Sequence, residues 1–444
     1  MSKPIEAFRN AFKIPELRQR IVFSLVMLAV YRLGAHIPTP GVDGAALSAA
    51  MKDLGGGLLS FYDMFTGGAF SQATILALGI MPYISASIIL QLLIPVVPAL
   101  EKMHKEGGAE FQRKINEWTR YGTIALCIVQ SIGYAYYLSS GSTTGAPIVP
   151  NPGLLFYFIC IVSFTTGTLF LMWVGEQISE FGIGNGISLI IFTSIASDMP
   201  SALRSLWSMF RNDELSVIAI GIMFLVLCLV VAGVILLTVG TRRVPVQYPR
   251  QMRGNRMSMG QRDYLPLRVN QAGVIPIIFA SSILMIPGMI AQSLSNPSVE
   301  SFFQVWFNYN GLLYNLVYAG MIVFFCFFYT AITFNPIEMA DNLKKYGAVV
   351  MGVRPGRQTA EYLNKVMTRI TFVGAFSLAL VALFPHLIYM FMRLDPRVTQ
   401  FFGGTSLLIL VGVALDTVRQ IETHLTMRNY DGFMGGRPMR SRRR

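Results

Sequence analysis

The sequence predicts an all-α polytopic membrane protein, and composition alone supports most of that prediction. Only 13% of the 444 residues are charged, whereas about 25% is usual in soluble domains. Hydrophobic residues make up 53% of the chain, and the mean hydropathy is +0.53. Because so few charges cannot cover a soluble surface, most apolar side chains must face lipid or neighbouring membrane helices.

Ten apolar runs are long enough to cross a bilayer. A spanning helix needs about 20 mainly apolar residues, and these runs are too long and too unalternating to be barrel strands. We therefore predict ten transmembrane helices. They lie near residues 20–36, 74–97, 120–139, 153–175, 184–202, 215–239, 269–294, 312–333, 370–392 and 402–424.

The basic residues orient these helices. With ten spans both termini share one side of the membrane, and 30 of the 36 Lys and Arg residues fall on that side. The positive-inside rule then places both termini in the cytoplasm. The chain accordingly divides into a cytoplasmic N-terminal segment (1–19), an N-terminal half (20–202), a C-terminal half (215–424) and a basic cytoplasmic tail (425–444).

Two halves of five spans must have opposite orientations, which predicts an inverted repeat. Gly79–Ile89 in the second span matches Gly273–Ile283 in the seventh at six of eleven positions. Chance is one explanation, because Gly and Pro are common in membrane helices. The other is that Pro82 and Pro276 bend two symmetry-related helices, whose small residues form a seam that can part.

The sequence carries no recognisable catalytic, nucleotide or metal motif. It contains neither H-E-x-x-H nor G-x-x-x-x-G-K-[ST], and its four His and four Cys residues are dispersed. We expect no enzymatic activity, no cofactor and no bound metal. Charged residues inside spans are the default functional candidates. Arg32 is predicted to snorkel from the end of its span, and Asp416 to pair with Arg419.

Two cytoplasmic loops concentrate positive charge. Residues 240–268 carry seven Arg against one Asp, with Tyr248 and Tyr264 interleaved. Residues 334–369 add six Lys and Arg, and an Arg-Pro-Gly sequence predicts a tight turn with Arg354 at its tip. Such loops can simply touch anionic lipid, or they can dock RNA phosphates or an acidic protein face. The surplus of charge favours docking.

A short semi-apolar stretch, residues 61–73, precedes the second span and has Gly67 and Gly68 at its centre. It is too short to cross the membrane. It is either a helix lying in the membrane interface or a re-entrant piece buried in a protein cavity.

Several long segments carry a family resemblance that runs in order along the spans. They are F-T-G-G-A at 65–69, L-G-I-M-P-Y-I-S-A-S-I-I at 78–89, G-E-Q-I at 175–178, G-I-G-N-G-I-S at 182–188, A-G-V-I-P at 272–276, A-D-N-L-K-K at 340–345, R-P-G at 354–356 and F-G-G-T-S-L-L-I at 402–409. Together they closely resemble the bacterial SecY family, which forms the central subunit of the Sec protein-conducting channel.

The resemblance implies an hourglass of two inverted five-helix halves around a central pore, with an external plug and a lateral gate. The implied pore ring is Ile80, Ile84, Ile187, Ile191, Ile278 and Ile409. The implied plug is the 61–73 stretch, including Phe65, Gly67 and Gly68. The implied lateral-gate residues are Ser85, Ser87, Gln91, Asn270 and Ser281. The implied docking residues are Tyr248, Arg250, Arg256 and Arg354.

The same resemblance implies a function and partners. Unfolded secretory polypeptides would cross the bacterial inner membrane through the pore, and hydrophobic segments would leave it sideways into lipid. Implied partners are the small membrane subunits SecE and SecG, the SecA ATPase motor, the ribosome with its rRNA, signal peptides and nascent chains, and anionic lipid. An ion-coupled secondary transporter is the alternative, because it too has inverted repeats. The Ile-rich, nearly uncharged midplane counts against it.

Overall fold

The computed structural model describes most of the chain, which divides into two compact units. The first comprises residues 1–90, 105–201 and 409–444, and the second comprises residues 91–104 and 202–408. The described residues are 14–44, 47, 58–140, 149–212, 217–249, 252–253, 256–257, 262–293, 311–392 and 404–434.

Helices dominate the described residues, as the composition predicts. In chain order they are α1 (Pro15–Gly34), α2 (Leu58–Thr66), α3 (Met81–Val96), α4 (Pro98–Ser140), α5 (Leu154–Phe181), α6 (Gly186–Arg211), α7 (Val217–Val239), α8 (Ile275–Ser293), α9 (Leu312–Thr333), α10 (Pro336–Lys345), α11 (Arg357–Met392) and α12 (Gly404–Met434). Every predicted span overlaps one of them, and α2 and α10 lie outside the spans. This overlap is consistent with ten spans.

Length and hydropathy support a membrane location for several of these helices. Two apolar helices, α3 and the Ile275–Leu284 part of α8, are shorter than a full span. Within the described residues, the segments long and apolar enough to cross a membrane are Leu154–Phe181, Gly186–Arg211, Ile220–Val239, Leu313–Lys345 and Arg357–Phe384.

The two repeat segments share a local structure that differs from the predicted kink. Gly79 (φ 56°) and Gly273 (φ 63°) have left-handed backbones, and α3 and α8 begin two residues after them. Pro82 and Pro276 therefore lie in the first helical turn, where a missing amide hydrogen costs no helix hydrogen bond. The prolines start two helices instead of bending them.

In the first unit, α1 packs along α5, and the start of α6 touches the α5 backbone near the turn that joins these two helices. A Cβ added to Gly186 would collide with the Gly175 carbonyl, so these two backbones are in direct contact. Tyr31, Phe164 and Ile178 are among the largest fully buried side chains. This backbone contact fixes the start of α6.

The second unit contains strands that the sequence analysis did not predict. Strands β1 (Thr241–Gln247) and β4 (Arg262–Arg268) pair antiparallel, and β5 (Val349–Val350) pairs with the other edge of β1. Between β1 and β4, β2 (Met252–Arg253) pairs with β3 (Arg256–Met257). The 240–268 loop is therefore a β-ribbon.

This ribbon and the 334–369 loop share one hydrophobic core. Val244 and Val246 are buried on β1 while their neighbours are exposed, the alternation typical of a half-buried strand. They pack in a cluster with Leu267, Val350 and Leu363, the last of which lies on α11. The two basic loops, predicted separately, thus form a single folded element.

Candidate functional site

The predicted ring isoleucines are divided between the two units. The first unit holds Ile80, Ile84, Ile187, Ile191 and Ile409, and the second holds Ile278. Ile187 is partly buried and the other five are buried. Three of them, Ile84, Ile187 and Ile278, occupy the first turn of their helices. Each half of the repeat therefore presents an isoleucine where a spanning helix begins.

Equivalent backbone bonds fix two of these isoleucines. The Ile84 amide donates to the Ile80 carbonyl at 3.1 Å, and the Ile278 amide donates to the Val274 carbonyl at 3.3 Å. Ile84 and Ile278 are paired positions of the sequence repeat, as are Ile80 and Val274. The internal repeat is therefore also a repeat of local structure.

The turn at residues 182–186 sets the position of Ile187 at the start of α6. The Asn185 Oδ1 atom accepts from the backbone amides of Ile187 (3.1 Å) and Ser188 (3.3 Å). This is N-capping, which satisfies amides that have no partner within the helix. The sequence marks this turn only as a glycine-rich segment.

Helices α1 and α12 hold the same turn from both sides. The Ile183 amide donates to Ser24 Oγ of α1 at 3.0 Å, and the Gly184 amide donates to Gln420 Oε1 of α12 at 2.9 Å. Because Ile409 lies on α12, a single turn ties the helix of Ile409 to the start of α6. Sequence reasoning missed Ser24 and Gln420, whose partners are more than 150 residues away.

The 61–73 segment is buried in the first unit, as expected of a re-entrant piece rather than an interfacial helix. Phe65 is buried, and Phe70 packs between Tyr62 and Tyr134, with ring centroids 4.8 and 4.4 Å away. The Tyr62 hydroxyl donates to the Leu78 carbonyl at 2.7 Å. Aromatic packing therefore holds the segment inside the unit.

Three side chains bind the segment through its backbone. The donors lie on α1 and α4, and the acceptors are carbonyl oxygens. The bonds run from Tyr31 to Thr66 (3.2 Å), from Arg32 to Gly67 (3.2 Å) and from Tyr134 to Phe70 (2.6 Å). Arg32, which the sequence predicts to snorkel from the end of its span, is thus one of the donors to the segment.

Gly67 lies at the tightest point of this contact. Its φ is 64°, a left-handed value that favours glycine. A Cβ there would lie 2.5 Å from Arg32 Nη1, 3.0 Å from Ser194 Cα and 3.1 Å from Ser197 Oγ. Gly68 has φ 84° but no atom within 4 Å of an added Cβ. The two predicted plug glycines thus have different surroundings.

The predicted lateral-gate residues also fall into two groups. The first unit holds Ser85 and Ser87, and the second holds Gln91, Asn270 and Ser281. Asn270 is buried, and its Nδ2 donates to the Gly273 carbonyl at 3.0 Å, while its Oδ1 has no partner among the described residues. The Ser281 hydroxyl donates to the Ile278 carbonyl at 2.9 Å. These contacts gather Asn270 and Ser281 around the start of α8.

Three of the four predicted docking residues lie in the β-ribbon element or in the turn packed beside it. Tyr248 follows β1 and is exposed, and Arg256 lies on β3, whereas Arg250 is outside the described residues. Arg354 is exposed in the turn before α11, as predicted, and its carbonyl accepts from the Thr359 hydroxyl at 2.9 Å. The turn is thereby fixed to the start of α11.

The outer face of the ribbon presents further residues of the basic loop, which the sequence analysis placed in that loop without assigning them a contact. Arg243 lies opposite Pro266, and Pro245 lies opposite Tyr264, in the β1–β4 register. Arg243, Tyr264 and Arg268 are exposed. The alternation of apolar Val244 and Val246 with polar or exposed neighbours along β1 was the sequence signal that could have identified this face.

Known proteins similar to this chain match it over nearly its full length. The SecY family model matches residues 74–418. The protein translocase subunit SecY of Escherichia coli (strain K12) is 45% identical over 429 residues, covering 94% of both chains. A solved structure described as a protein-conducting channel matches with a TM-score of 0.65 and 18% identity, covering 92% of both chains.

A second solved structure, Sec61 in the canine ribosome-channel complex from the endoplasmic reticulum, matches with a TM-score of 0.63 and 16% identity over 92% of both chains. At such identities the structural matches establish the fold. The family model and the bacterial relative, which is 45% identical over 94% of the chain, establish family membership as well as the fold. The chain belongs to the SecY family.

Proposed function

We propose that this protein is the pore-forming subunit of a bacterial protein-conducting channel. Unfolded secretory polypeptides cross the membrane through it, and hydrophobic segments leave it sideways into lipid. The observation that carries the proposal is the 45% identity to a protein translocase subunit over 94% of the chain. Membership of this family also disfavours the ion-coupled transporter.

The proposed seal is the ring of six isoleucines. Cargo polypeptides vary in sequence, so a seal cannot rely on specific hydrogen bonds to them. Branched apolar side chains fit around many cargo shapes, and an apolar constriction dewets when it is empty. The positions of Ile84 and Ile278 in matching first turns support a role for both halves of the repeat.

The proposed gating parts are the 61–73 segment as plug and the start of α8 as part of the lateral gate. The carbonyl contacts of the segment support the first assignment, because they hold a non-spanning piece within the unit. The contacts of Asn270 and Ser281 with the start of α8 support the second, because they gather two polar side chains where that helix begins.

The proposed docking surface is the exposed basic face of the β-ribbon together with the Arg354 turn. Its partners would be the ribosome, through rRNA phosphates, and the SecA motor, with anionic lipid nearby. SecE and SecG would be the small membrane subunits. The location would be the bacterial inner membrane with both termini in the cytoplasm, following the distribution of basic residues.

Site-specific photocrosslinking to a stalled secretory chain tests the proposed pore. A photoreactive residue at Ile191, Ile278 or Ile409 should crosslink to the stalled chain. The matched control is Leu236, an α7 side chain that is 73% exposed in its unit. Crosslinks of equal yield at Leu236, or none at the three isoleucines, would contradict the pore assignment.

Charge reversal tests the docking surface. Arg354→Glu should weaken motor-driven export while the protein still inserts and accumulates normally. Arg204→Glu, an exposed reversal predicted to lie on the opposite side of the membrane, is the matched control. Normal motor-stimulated transport in Arg354→Glu would refute the assignment.

A further inference from the structure

Besides its aromatic packing, the 61–73 segment contacts its surroundings through backbone acceptors. Thr66, Gly67 and Phe70 each accept through a carbonyl oxygen from a donor on α1 or α4. Carbonyl recognition does not depend on which side chains the segment carries. In these hydrogen bonds, the side chains that matter are therefore the donors on the helices, not the side chains of the segment.

Two of these donors are shielded from water while the segment is seated. Tyr31 is 1% exposed and Tyr134 is 2% exposed, so water does not reach them in the seated state. An unsatisfied buried hydroxyl costs more than a typical hydrogen bond gains. If the segment leaves, the Tyr31 and Tyr134 hydroxyls lose their carbonyl acceptors unless water enters the space that the segment occupied.

The contact also reaches the helix that carries two ring isoleucines. The Tyr31 hydroxyl donates to the Thr66 carbonyl and is hydrogen-bonded to Ser194 Oγ of α6. The Ser194 hydroxyl also contacts the Ile190 carbonyl of its own helix at 3.0 Å, so Tyr31 joins the segment to the α6 backbone through Ser194. Ser194 lies one turn after Ile191. One hydroxyl therefore joins the segment to the α6 helix.

We propose that Tyr31, Arg32 and Tyr134 are positioning residues that form a latch on the 61–73 segment and set how readily the channel opens. The proposal rests on the proposed function and deepens it, because it locates the closing contact on α1 and α4. Weakening the latch lowers the requirement for a strong signal sequence. The latch also gives Arg32, a charged residue inside a span, the role of holding the Gly67 carbonyl.

The test is export of two reporters, one with an intact and one with a defective signal sequence, in a bacterial strain that depends on this chain. Tyr31→Phe/Tyr134→Phe removes two hydroxyls and keeps both rings. We expect the ratio of defective to intact export to rise about tenfold, which corresponds to about 1.4 kcal/mol. Tyr121→Phe, on α4 and 69% exposed, should leave the ratio unchanged.

The outcomes separate the two proposals. A merely structural role would lower export of both reporters and leave the ratio unchanged, and an unchanged ratio overturns the latch. Failure of the wild-type chain to export the intact reporter would instead overturn the proposed function. If the double variant does not accumulate, the latch is tested instead by hydrogen exchange of residues 66–74 in the purified single variant Tyr134→Phe. Faster exchange than in wild type supports the latch, and equal exchange overturns it.

Discussion

Replacing Gly67 with alanine tests how the 61–73 segment is held, and Gly68 supplies the matched control. Both glycines have positive φ, so alanine at either position strains the backbone by about 1–2 kcal/mol. Only at Gly67 does the new Cβ meet neighbours, namely Arg32 Nη1 at 2.5 Å and Ser194 Cα at 3.0 Å. The first can move, whereas the second is backbone.

The difference in magnitude follows from these contacts. Moving the Arg32 guanidinium breaks its hydrogen bond to the Gly67 carbonyl, and a bond to a charged group contributes about 1.5–3 kcal/mol. Gly67→Ala should therefore destabilise the seated segment by about 2.5–5 kcal/mol, against about 1–2 kcal/mol for Gly68→Ala. The excess of at least about 1.5 kcal/mol corresponds to roughly a tenfold change in an equilibrium.

Hydrogen exchange measured by mass spectrometry on the purified protein follows local opening of the segment. The amides to follow are those of Phe70, bonded to Thr66 Oγ1, Ser71, bonded to Asp63 Oδ1, and Thr74, bonded to the Ala69 carbonyl. Their protection falls when strain opens the segment or when its departure from the helices exposes it to water. Exchange should accelerate in both variants, and about tenfold more in Gly67→Ala. Equal acceleration in the two variants would refute the reasoning, because backbone strain alone would then explain both.

Three further predictions concern other parts of the protein. Ile409→Asn should loosen the seal and raise export of a signal-defective reporter, and unchanged export would count against the ring. Leu363→Ala should destabilise the β-ribbon core by about 2–5 kcal/mol and expose the ribbon to limited proteolysis, whereas Tyr346→Ala, at an exposed site, should not. Gln420→Ala should cost about 1 kcal/mol in thermal unfolding by freeing the 182–186 turn. Thr423→Ala, at an exposed site on the same helix, should cost less.

The spanning helices were predictable because their signal is local. A run of about 20 apolar residues can satisfy its backbone in lipid only as a helix, so composition decides the structure. Their ends were less predictable. α11 begins at Arg357, well before the predicted span at residue 370, because its first turns pack on the β-ribbon core. That packing depends on β1, more than 100 residues earlier, which no local window includes.

The contacts of the 61–73 segment were not predictable for a related reason. Tyr31 and Thr66 are 35 residues apart, and Tyr134 and Phe70 are 64 residues apart. The donor tyrosines are ordinary members of apolar runs, and a carbonyl acceptor leaves no trace in the sequence. Arg32 was the exception, because a charge inside a span stands out. The carbonyl that Arg32 contacts, that of Gly67, could be identified only from the structure.

The β-ribbon element gives the Arg354 turn a mechanical connection to the membrane. The Arg354 carbonyl accepts from Thr359 on the first turn of α11, and Leu363 of the same helix is buried in the ribbon core. From this turn α11 runs through the apolar segment Arg357–Phe384 to Met392, about 54 Å at 1.5 Å per residue. If the turn is the proposed docking site, a partner that pulls on it would displace this helix rather than a loose loop. A folded core would then serve a docking surface better than charge alone, because charge attracts a partner without transmitting its force.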